Sequence, residues 1–296
     1  MASIPRHTSL RDIADGYDAF VLDLWGVIHG GVTPFPGVPE ALAALKARGK
    51  KIALLSNAPR RSEIVMGQLT GRIGLDRALF DVMLTSGEAT HDALRDRPDD
   101  DHASLGKRFY CINYDMLEQR GDLADGLDYQ EVEAVEDAEF ILVIGPFQEL
   151  DEIERYEPLL AHALSQGMPM VCANPDRVIH RQDGPPGRCA GWIAEAYANR
   201  GGKVIWHGKP DPKVYHRALN MLGHQGTERA VMIGDSLTTD IPGARLAGMD
   251  ALFCTRGIFH AELDIAAGEM PEQARLDALC ARFEHQPTGA IPSLVW

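Results

Sequence analysis

A chain of 296 residues is long enough for one large domain or for two of ordinary size, and its 45% hydrophobic and 24% charged residues are typical of a globular protein rather than of a disordered or fibrous one. The formal net charge of -14 argues against broad binding to nucleic acids or anionic membranes, because acidic residues outnumber the basic residues that would neutralise phosphate groups. An anionic substrate therefore has to be held by a local cation or by a small basic cluster.

Short β-type runs alternate with helical segments from the start of the chain. The apolar run AFVLDLW is followed by the segment GVPEALAALKARG, in which Val38, Leu42 and Leu45 share one helical face and Gly49 is a candidate C-cap. KKIALLSNA is a second buried strand, and FDVMLTS is a third strand that follows another helical stretch. This alternation predicts βαβ units and a parallel sheet.

The composition changes from about Glu88 onwards, where the charged loop RDRPDDDHASLGKR precedes a new series of elements. The strands FYCIN, FILVIG and PMVCANP, with a helix around EIERYEPLLAHALSQG, form a second α/β set. The loop HRQDGPPGRCAG, rich in Gly and Pro, then leads back to the helix WIAEAYANRGG and the strand KVIWHGKP. Strands in RAVMIGDSL and ALFC complete the first set, so we expect a second α/β unit inserted into the first.

The cysteines and the amino terminus bear on the cellular compartment. The five cysteines are scattered and never form a C-x-x-C pair, which indicates reduced thiols rather than disulfides or a zinc site. The amino terminus lacks the continuous apolar run of a signal peptide, and no segment approaches the roughly 18 apolar residues that a membrane helix needs. These features predict a cytoplasmic protein that does not bind membranes.

Polar residues follow four of the strand-like runs. Asp23, Ser56, Lys209 and Asp235 each come directly after such a run. Ligands of open parallel sheets bind beyond the carboxyl ends of the strands. We therefore expect these four side chains to meet at one edge of the sheet.

Each of these residues has both a functional and an ordinary structural interpretation. Carboxylates such as Asp235 and Asp240 suit Mg²⁺, which prefers oxygen ligands, but an Asx turn or a helix N-cap explains them equally. Lys209 is suited to hold an anionic oxygen or to neutralise clustered carboxylates, although a lone lysine is usually solvated. Ser56 and Asn57 offer hydroxyl, amide and N–H groups to a phosphate, but polar residues are common where loops begin.

The order of these motifs resembles that of the haloacid dehalogenase-like hydrolases. DLWGV resembles the first motif of that family, D-x-D-G-[TV], with Asp23 as the nucleophile. Ser56 resembles the second motif, and Lys209 in GKP resembles the third. GDSLTTD, with Asp235 and Asp240, resembles the fourth motif, G-D-x-x-x-T-D. The resemblance spans nearly the whole chain and is most specific in the fourth motif.

The resemblance implies an α/β fold: a Rossmann-like parallel-sheet core over residues 1–87 and 192–296, and an inserted α/β cap of the C2 type over residues 88–191. The long interval between the second and third motifs indicates the type IIA capped branch, which includes 4-nitrophenylphosphatase-like and nucleotide phosphatases. In that branch the segment ANPD, with Asn174 and Asp176, resembles a cap segment near the substrate entrance, although turn preferences explain the same residues. Members of this branch often form homodimers through the cap.

The implied activity is that of a Mg²⁺-dependent phosphohydrolase that acts on a small phosphorylated metabolite through an aspartyl-phosphate. Ser56 and Lys209 would hold the phosphoryl oxygens, and Asn57, Asn174 and Asp176 would contact the substrate. The implied metal ligands are Asp23, Asp235 and the backbone carbonyl of Trp25, with Asp240 beside them.

The sequence departs from the family pattern at Trp25. In phosphatases of this family an aspartate at this position protonates the leaving oxygen and then activates water, and an indole does neither. General acid–base catalysis contributes about 10² to 10⁴-fold to such reactions.

Three interpretations of Trp25 follow. The first is a phosphatase that is slow, that prefers an acidic leaving group, or that uses another proton carrier, for which His29 is nearest in sequence. The second is displacement at carbon, since dehalogenases of this family carry an aromatic residue at the matching position. The third is a non-catalytic protein that binds a phosphorylated metabolite. The GDSLTTD motif and the predicted cap favour the first.

Overall fold

The computed structural model describes residues 3–115, 121–179 and 186–296. The chain divides into two compact units, each built around its own sheet. The first unit comprises Met1–Ser56, Met66–Leu84 and Lys209–Trp296, and the second comprises Asn57–Val65 and Thr85–Gly208.

Strands and helices alternate along the described part of the chain, as the hydrophobic pattern predicts. The strands are β1 (Ala19–Leu22), β2 (Lys51–Ser56), β3 (Val82–Thr85), β4 (Arg108–Ile112), β5 (Gln130–Val132), β6 (Phe140–Val143), β7 (Met170–Cys172), β8 (Val178–Ile179), β9 (Gly187–Arg188), β10 (Val204–Trp206), β11 (Ala230–Gly234), β12 (Asp250–Cys254) and β13 (Gly289–Ile291). The α-helices are α1 (Val38–Ala47), α2 (Ser62–Gln68), α3 (Ser86–Asp96), α4 (Asp100–Ala103), α5 (Glu157–Ser165), α6 (Ala190–Ala198), α7 (Pro212–Met221), α8 (Asp240–Leu246) and α9 (Gln273–Cys280). A π-helical segment follows α2 at Leu69–Ile73, and 3-10 turns lie at Leu10–Asp12, Ala14–Gly16, Arg77–Leu79, Val135–Asp137 and Ile153–Tyr156.

The first unit is built on a six-stranded sheet with the order β13-β12-β11-β1-β2-β3. The pairings from β13 through β2 are parallel. Every residue of β1 is buried, as expected for a strand that is covered on both faces of a parallel sheet. Leu22 at the end of β1 pairs with Ile233 of β11 on one side and with Leu54 of β2 on the other. The predicted parallel-sheet α/β core is confirmed.

Helix α1 illustrates the local pattern that leads to this core. Val38, Leu42 and Leu45 are all buried, which confirms the predicted apolar face. The helix ends one residue earlier than predicted: its C-cap is Arg48, and Gly49 follows the cap.

The second unit has a five-stranded sheet with the order β10-β7-β6-β4-β5, in which all pairings are parallel. Successive residues of β6 point to opposite faces: Ile141 and Val143 belong to one apolar cluster, and Phe140 and Leu142 belong to another. Strands β8 and β9 pair antiparallel as a separate two-stranded sheet. Residues 180–185, the first half of the predicted loop HRQDGPPGRCAG, lie outside the described residues.

The boundary between the units differs from the predicted one. The sequence predicted a return to the first unit at residue 192, but α6 and β10 belong to the second unit. Strand β10 pairs with β7, and Ile193 and Tyr197 of α6 lie in the same apolar cluster as Tyr156. Residues 57–65 also belong to the second unit, although the prediction placed them in the first. These assignments depend on which distant strand and helix each segment packs against, and local composition does not carry that information.

The five cysteines are free, and four of them are buried. In the described ranges, no helix combines the length and the apolar character needed to cross a membrane.

Candidate active site

The carboxyl ends of three adjacent strands carry polar residues. Asp23 follows β1, Asp235 follows β11, and Ser56 is the last residue of β2. Because β11, β1 and β2 are neighbours with aligned registers, these residues lie at one edge of the sheet. Each of them is buried.

Three carboxylates cluster at this edge. One oxygen atom each from Asp23, Asp235 and Asp240 lies within 4.8 Å of the others, and all three residues are buried. Burial, followed by the negative charges of Asp23 and Asp240, raises the pKa of Asp235 well above its usual range. Burying like charges this closely is unfavourable unless cations compensate them.

Lys209 provides one compensating charge. Its Nζ lies 2.6 Å from Asp23 Oδ1 and 2.6 Å from Asp240 Oδ1, and the residue is only 3% exposed. The ordinary interpretation of a solvated lysine therefore does not describe Lys209. One ammonium group against three carboxylates leaves room for a further cation, and an oxygen-only donor set suits Mg²⁺.

Asp240 connects Lys209 to the loop that carries Asp235. Its Oδ2 accepts a hydrogen bond of 3.0 Å from the Ser236 N–H, while its Oδ1 accepts the Lys209 bond. The N-cap of α8 is Thr239, so Asp240 is the first helical residue and not the cap. The Tyr215 hydroxyl on α7 donates to the backbone carbonyls of Thr239 and Asp240, at 3.0 and 3.1 Å. Sequence reasoning missed Tyr215, whose position in α7 carries no motif of its own.

Asp235 is held by backbone that is distant in sequence. Its Oδ2 accepts a 3.0 Å hydrogen bond from the Ile258 N–H, so a local Asx turn is not what holds this carboxylate. A Cβ atom on Gly26 would lie 2.0 Å from Asp235 Oδ2, and one on Gly257 would lie 1.8 Å from the same atom. The two glycines therefore make the space that the carboxylate occupies. Sequence reasoning missed Gly257 and Ile258, since only the fold brings them to Asp235.

Replacing Gly257 with alanine is expected to lower the free energy of unfolding by about 1–3 kcal/mol through overpacking. Rotation of the Asp235 side chain does not relieve the clash, because the new Cβ would also lie 2.2 Å from the Asp235 Cβ. Urea denaturation measures the change. Gly67→Ala is the matched control, since Gly67 is exposed in α2 and a Cβ atom there would contact nothing beyond its chain neighbours and its own helix backbone. Equal stability of the two variants would contradict the prediction.

Trp25 packs within its own loop. Its Cη2 atom lies 2.8 Å from where a Cβ on Gly31 would stand, and Gly31 has a φ of 105°, which also favours glycine. The Trp25 and His29 ring centroids are 5.2 Å apart. His29 Nδ1 accepts a 3.0 Å hydrogen bond from the Gly31 N–H. Burial, with a smaller contribution from Arg72, lowers the pKa of His29 to about 4, so the ring is neutral near pH 7. This weighs against His29 as the replacement acid.

The three predicted substrate-binding residues lie together in the second unit. Asn57 Nδ2 donates to Asp176 Oδ1 at 2.9 Å, and the Asp176 N–H donates to Asn174 Oδ1 at 2.9 Å. The second bond closes the Asx turn that the segment ANPD favours. The first bond joins this turn to the residue that follows Ser56, a connection that turn preferences do not predict.

Comparison with known families and proteins points to one superfamily. Residues 20–124 match the family described as haloacid dehalogenase-like hydrolase, and residues 206–286 match one described as HAD-hydrolase-like. The chain is 26% identical over 243 residues to the ribonucleotide monophosphatase NagD of Escherichia coli, covering 80% of this chain and 87% of that protein. It is 28% identical over 246 residues to an acid sugar phosphatase of Staphylococcus aureus, covering 82% and 88%.

The structural comparison agrees. A crystal structure of a hydrolase from Brucella suis, of the haloacid dehalogenase-like family, has a TM-score of 0.80 and 30% sequence identity to this chain. The match covers 98% of this chain and 100% of the Brucella protein.

Proposed function

Since the chain belongs to the haloacid dehalogenase-like hydrolase family, we propose that it is a Mg²⁺-dependent phosphohydrolase of small phosphorylated molecules with Asp23 as the nucleophile. The observation that carries this proposal is the buried cluster in which Asp23 lies beside two further carboxylates and 2.6 Å from the Lys209 ammonium. Perturbed and buried charges of this kind concentrate at functional sites. Both curated relatives described above are phosphatases by name.

The proposed reaction has two steps at phosphorus. An oxygen of Asp23 attacks the phosphorus atom, and the bond to the leaving oxygen breaks, which leaves an aspartyl-phosphate. Water then attacks the phosphorus, phosphate is released, and the Asp23 carboxylate is restored. Lys209 stabilises negative charge on Asp23 and on the phosphoryl oxygens, and the Ser56 hydroxyl would hold another of these oxygens.

The substrate-binding roles proposed for Asn57, Asn174 and Asp176 are supported by their mutual hydrogen bonds. These bonds fix the orientation of the Asn57 amide and of the Asp176 carboxylate before any substrate arrives. A preorganised polar group loses less conformational entropy on binding than a mobile one.

Mg²⁺ is the proposed cofactor, because the donors present fit it. The oxygens of Asp23 and Asp235 belong to a buried cluster with a net excess of negative charge, and hard divalent cations prefer such donors. These two carboxylates and the Trp25 carbonyl would hold the ion, with Asp240 beside them. When bound, the ion would neutralise charge on the phosphoryl group.

Asp235→Asn is expected to abolish most of the thermal stabilisation that Mg²⁺ gives to the native protein. At about ten times its Kd a ligand stabilises by about 1.4 kcal/mol, and loss of one carboxylate ligand raises the Kd. Without metal the variant should be at least as stable as the native protein, because asparagine removes like-charge repulsion and can still accept the Ile258 N–H. Thermal unfolding with Mg²⁺ and with EDTA measures both effects. An undiminished Mg²⁺ shift would contradict the assignment of Asp235.

Phosphate release from a panel of phosphate compounds, assayed with Mg²⁺ and with EDTA, tests the proposed function. Metal-dependent release supports it, and a burst of 4-nitrophenolate equal to the enzyme concentration would reveal the covalent intermediate. Halide release from 2-haloacids without metal would favour displacement at carbon. Thermal stabilisation by phosphorylated metabolites without turnover would favour a binding protein.

A further inference from the structure

The ionisable groups around Asp23 are engaged with one another or with the backbone. Lys209 Nζ lies between Asp23 and Asp240, at 2.6 Å from an oxygen of each. Asp240 Oδ2 accepts from the Ser236 N–H, and Asp235 Oδ2 accepts from the Ile258 N–H. These contacts hold the four groups on the Asp23 side of the phosphorus, where the metal and the phosphoryl oxygens are proposed to bind, whereas in-line attack by Asp23 places the leaving oxygen on the opposite side.

The loop that follows Asp23 does not supply an acid either. Trp25 has no ionisable proton, and its indole is packed against Gly31 and beside the His29 ring. The Nδ1 atom of His29 is occupied as an acceptor of the Gly31 N–H. Because Gly31 has no room for a Cβ under the indole, Trp25 packs directly against the backbone of this loop.

The identity of the leaving group decides whether a site without a general acid can cleave the substrate. Cleavage of an alkyl phosphate releases an alkoxide, a strong base that needs a proton as the phosphorus–oxygen bond breaks. A carboxylate, a phosphate or a phenolate departs with the bonding electron pair as a stable anion and needs no proton. Hydrolysis of the aspartyl-phosphate belongs to this second kind, since the group that leaves is the Asp23 carboxylate.

We propose that the substrate is a phosphoryl compound whose leaving oxygen departs as a stabilised anion, namely an acyl phosphate, a phosphoanhydride or an aryl or enol phosphate, and that Trp25 sets this preference. The proposal rests on the proposed function. In the first step the Asp23 oxygen–phosphorus bond forms, and the leaving oxygen takes the electron pair of the bond that breaks. In the second, water bonds to phosphorus, the Asp23 oxygen leaves, and the proton of water goes to phosphate or to solvent.

The test is the dependence of kcat/KM on the leaving group. Phosphate release is measured with Mg²⁺ for acetyl phosphate, 4-nitrophenyl phosphate, phenyl phosphate and glycerol phosphate. The ratio kcat/KM is used because it reports the steps up to departure of the leaving group, whereas kcat also contains the common second step. We expect kcat/KM to fall by about 10³-fold or more from acetyl phosphate to glycerol phosphate. Trp25→Phe keeps an aromatic ring without an acid and should retain this steep dependence.

The outcomes separate the two proposals. Values of kcat/KM within about tenfold across the series would overturn the leaving-group preference while leaving the phosphohydrolase function intact. No phosphate release even from acetyl phosphate and 4-nitrophenyl phosphate would overturn both. A shallow dependence in Trp25→Phe beside a steep one in the native protein would show that Trp25 acts through its indole and not through the lack of an acid.

Discussion

Replacing Asp23 with asparagine is expected to lower the turnover of every phosphate substrate by about 10³-fold or more, because the amide is a poor nucleophile for phosphorus. The change also removes a charge from the buried cluster and removes the Lys209–Asp23 ion pair, while the Lys209–Asp240 ion pair remains. The measurement is kcat for acetyl phosphate with Mg²⁺, together with the burst of 4-nitrophenolate, which should disappear.

Asp18→Asn is the matched control for that change. Asp18 precedes the same strand that Asp23 follows, but its carboxylate is exposed and bonds to the Arg229 guanidinium. Exposed ion pairs contribute little to stability, so this variant should keep native activity. Circular dichroism and thermal unfolding of both variants show whether they are folded. Turnover by folded Asp23→Asn at more than about a tenth of the native rate would exclude Asp23 as the nucleophile.

Replacing Trp25 with aspartate is expected to raise kcat/KM for glycerol phosphate by about 10² to 10⁴-fold, since it supplies a proton donor beside Asp23. The gain for acetyl phosphate should be much smaller, because that leaving group needs no proton. The dependence on the leaving group would therefore flatten. The removal of a packed indole costs stability, and assays well below the unfolding transition avoid that effect.

Trp25→Asn distinguishes the effect of an added acid from the effect of the space that the indole leaves. Asparagine has nearly the size and shape of aspartate but no ionisable proton, so both variants open the same gap over Gly31. We expect Trp25→Asn to remain slow with glycerol phosphate. Equal gains in both variants would mean that Trp25 limits access for bulkier leaving groups and that proton transfer is not the missing element.

The sequence pattern predicted the core sheet and the placement of Asp23, Ser56 and Asp235 at its edge, for a local reason. It was wrong for Lys209, which follows β10, a strand of the other sheet. Buried parallel strands appear as continuous apolar runs, and the residue that follows each run lies at the carboxyl edge of the sheet. Asp23 and Asp235 could therefore be singled out from their neighbours in sequence alone. The family resemblance and the hydrolase class are confirmed by the comparisons, while the homodimer and the cytoplasmic location stay predictions.

Single residues show where the pattern was insufficient. The capping interpretation of Asp235 and the surface interpretation of Lys209 were each reasonable in isolation, since turns and solvent explain most such residues. The structure replaces both with a buried contact network in which Lys209 joins Asp23 to Asp240. No sequence pattern indicated that Tyr215 or Gly257 belongs to the site, because neither is part of a motif of charged residues.

The sequence alone determined the fold class, the order of the motifs and the replacement of an acid by Trp25, because these depend on residue types and short-range periodicity. Only the tertiary structure decided that the second unit extends to residue 208, that Asp240 organises Lys209, and that Gly26 and Gly257 make room for Asp235. Those features arise from packing between segments that are far apart in the chain. The free energy of such contacts depends on both segments, so no single stretch of sequence predicts it.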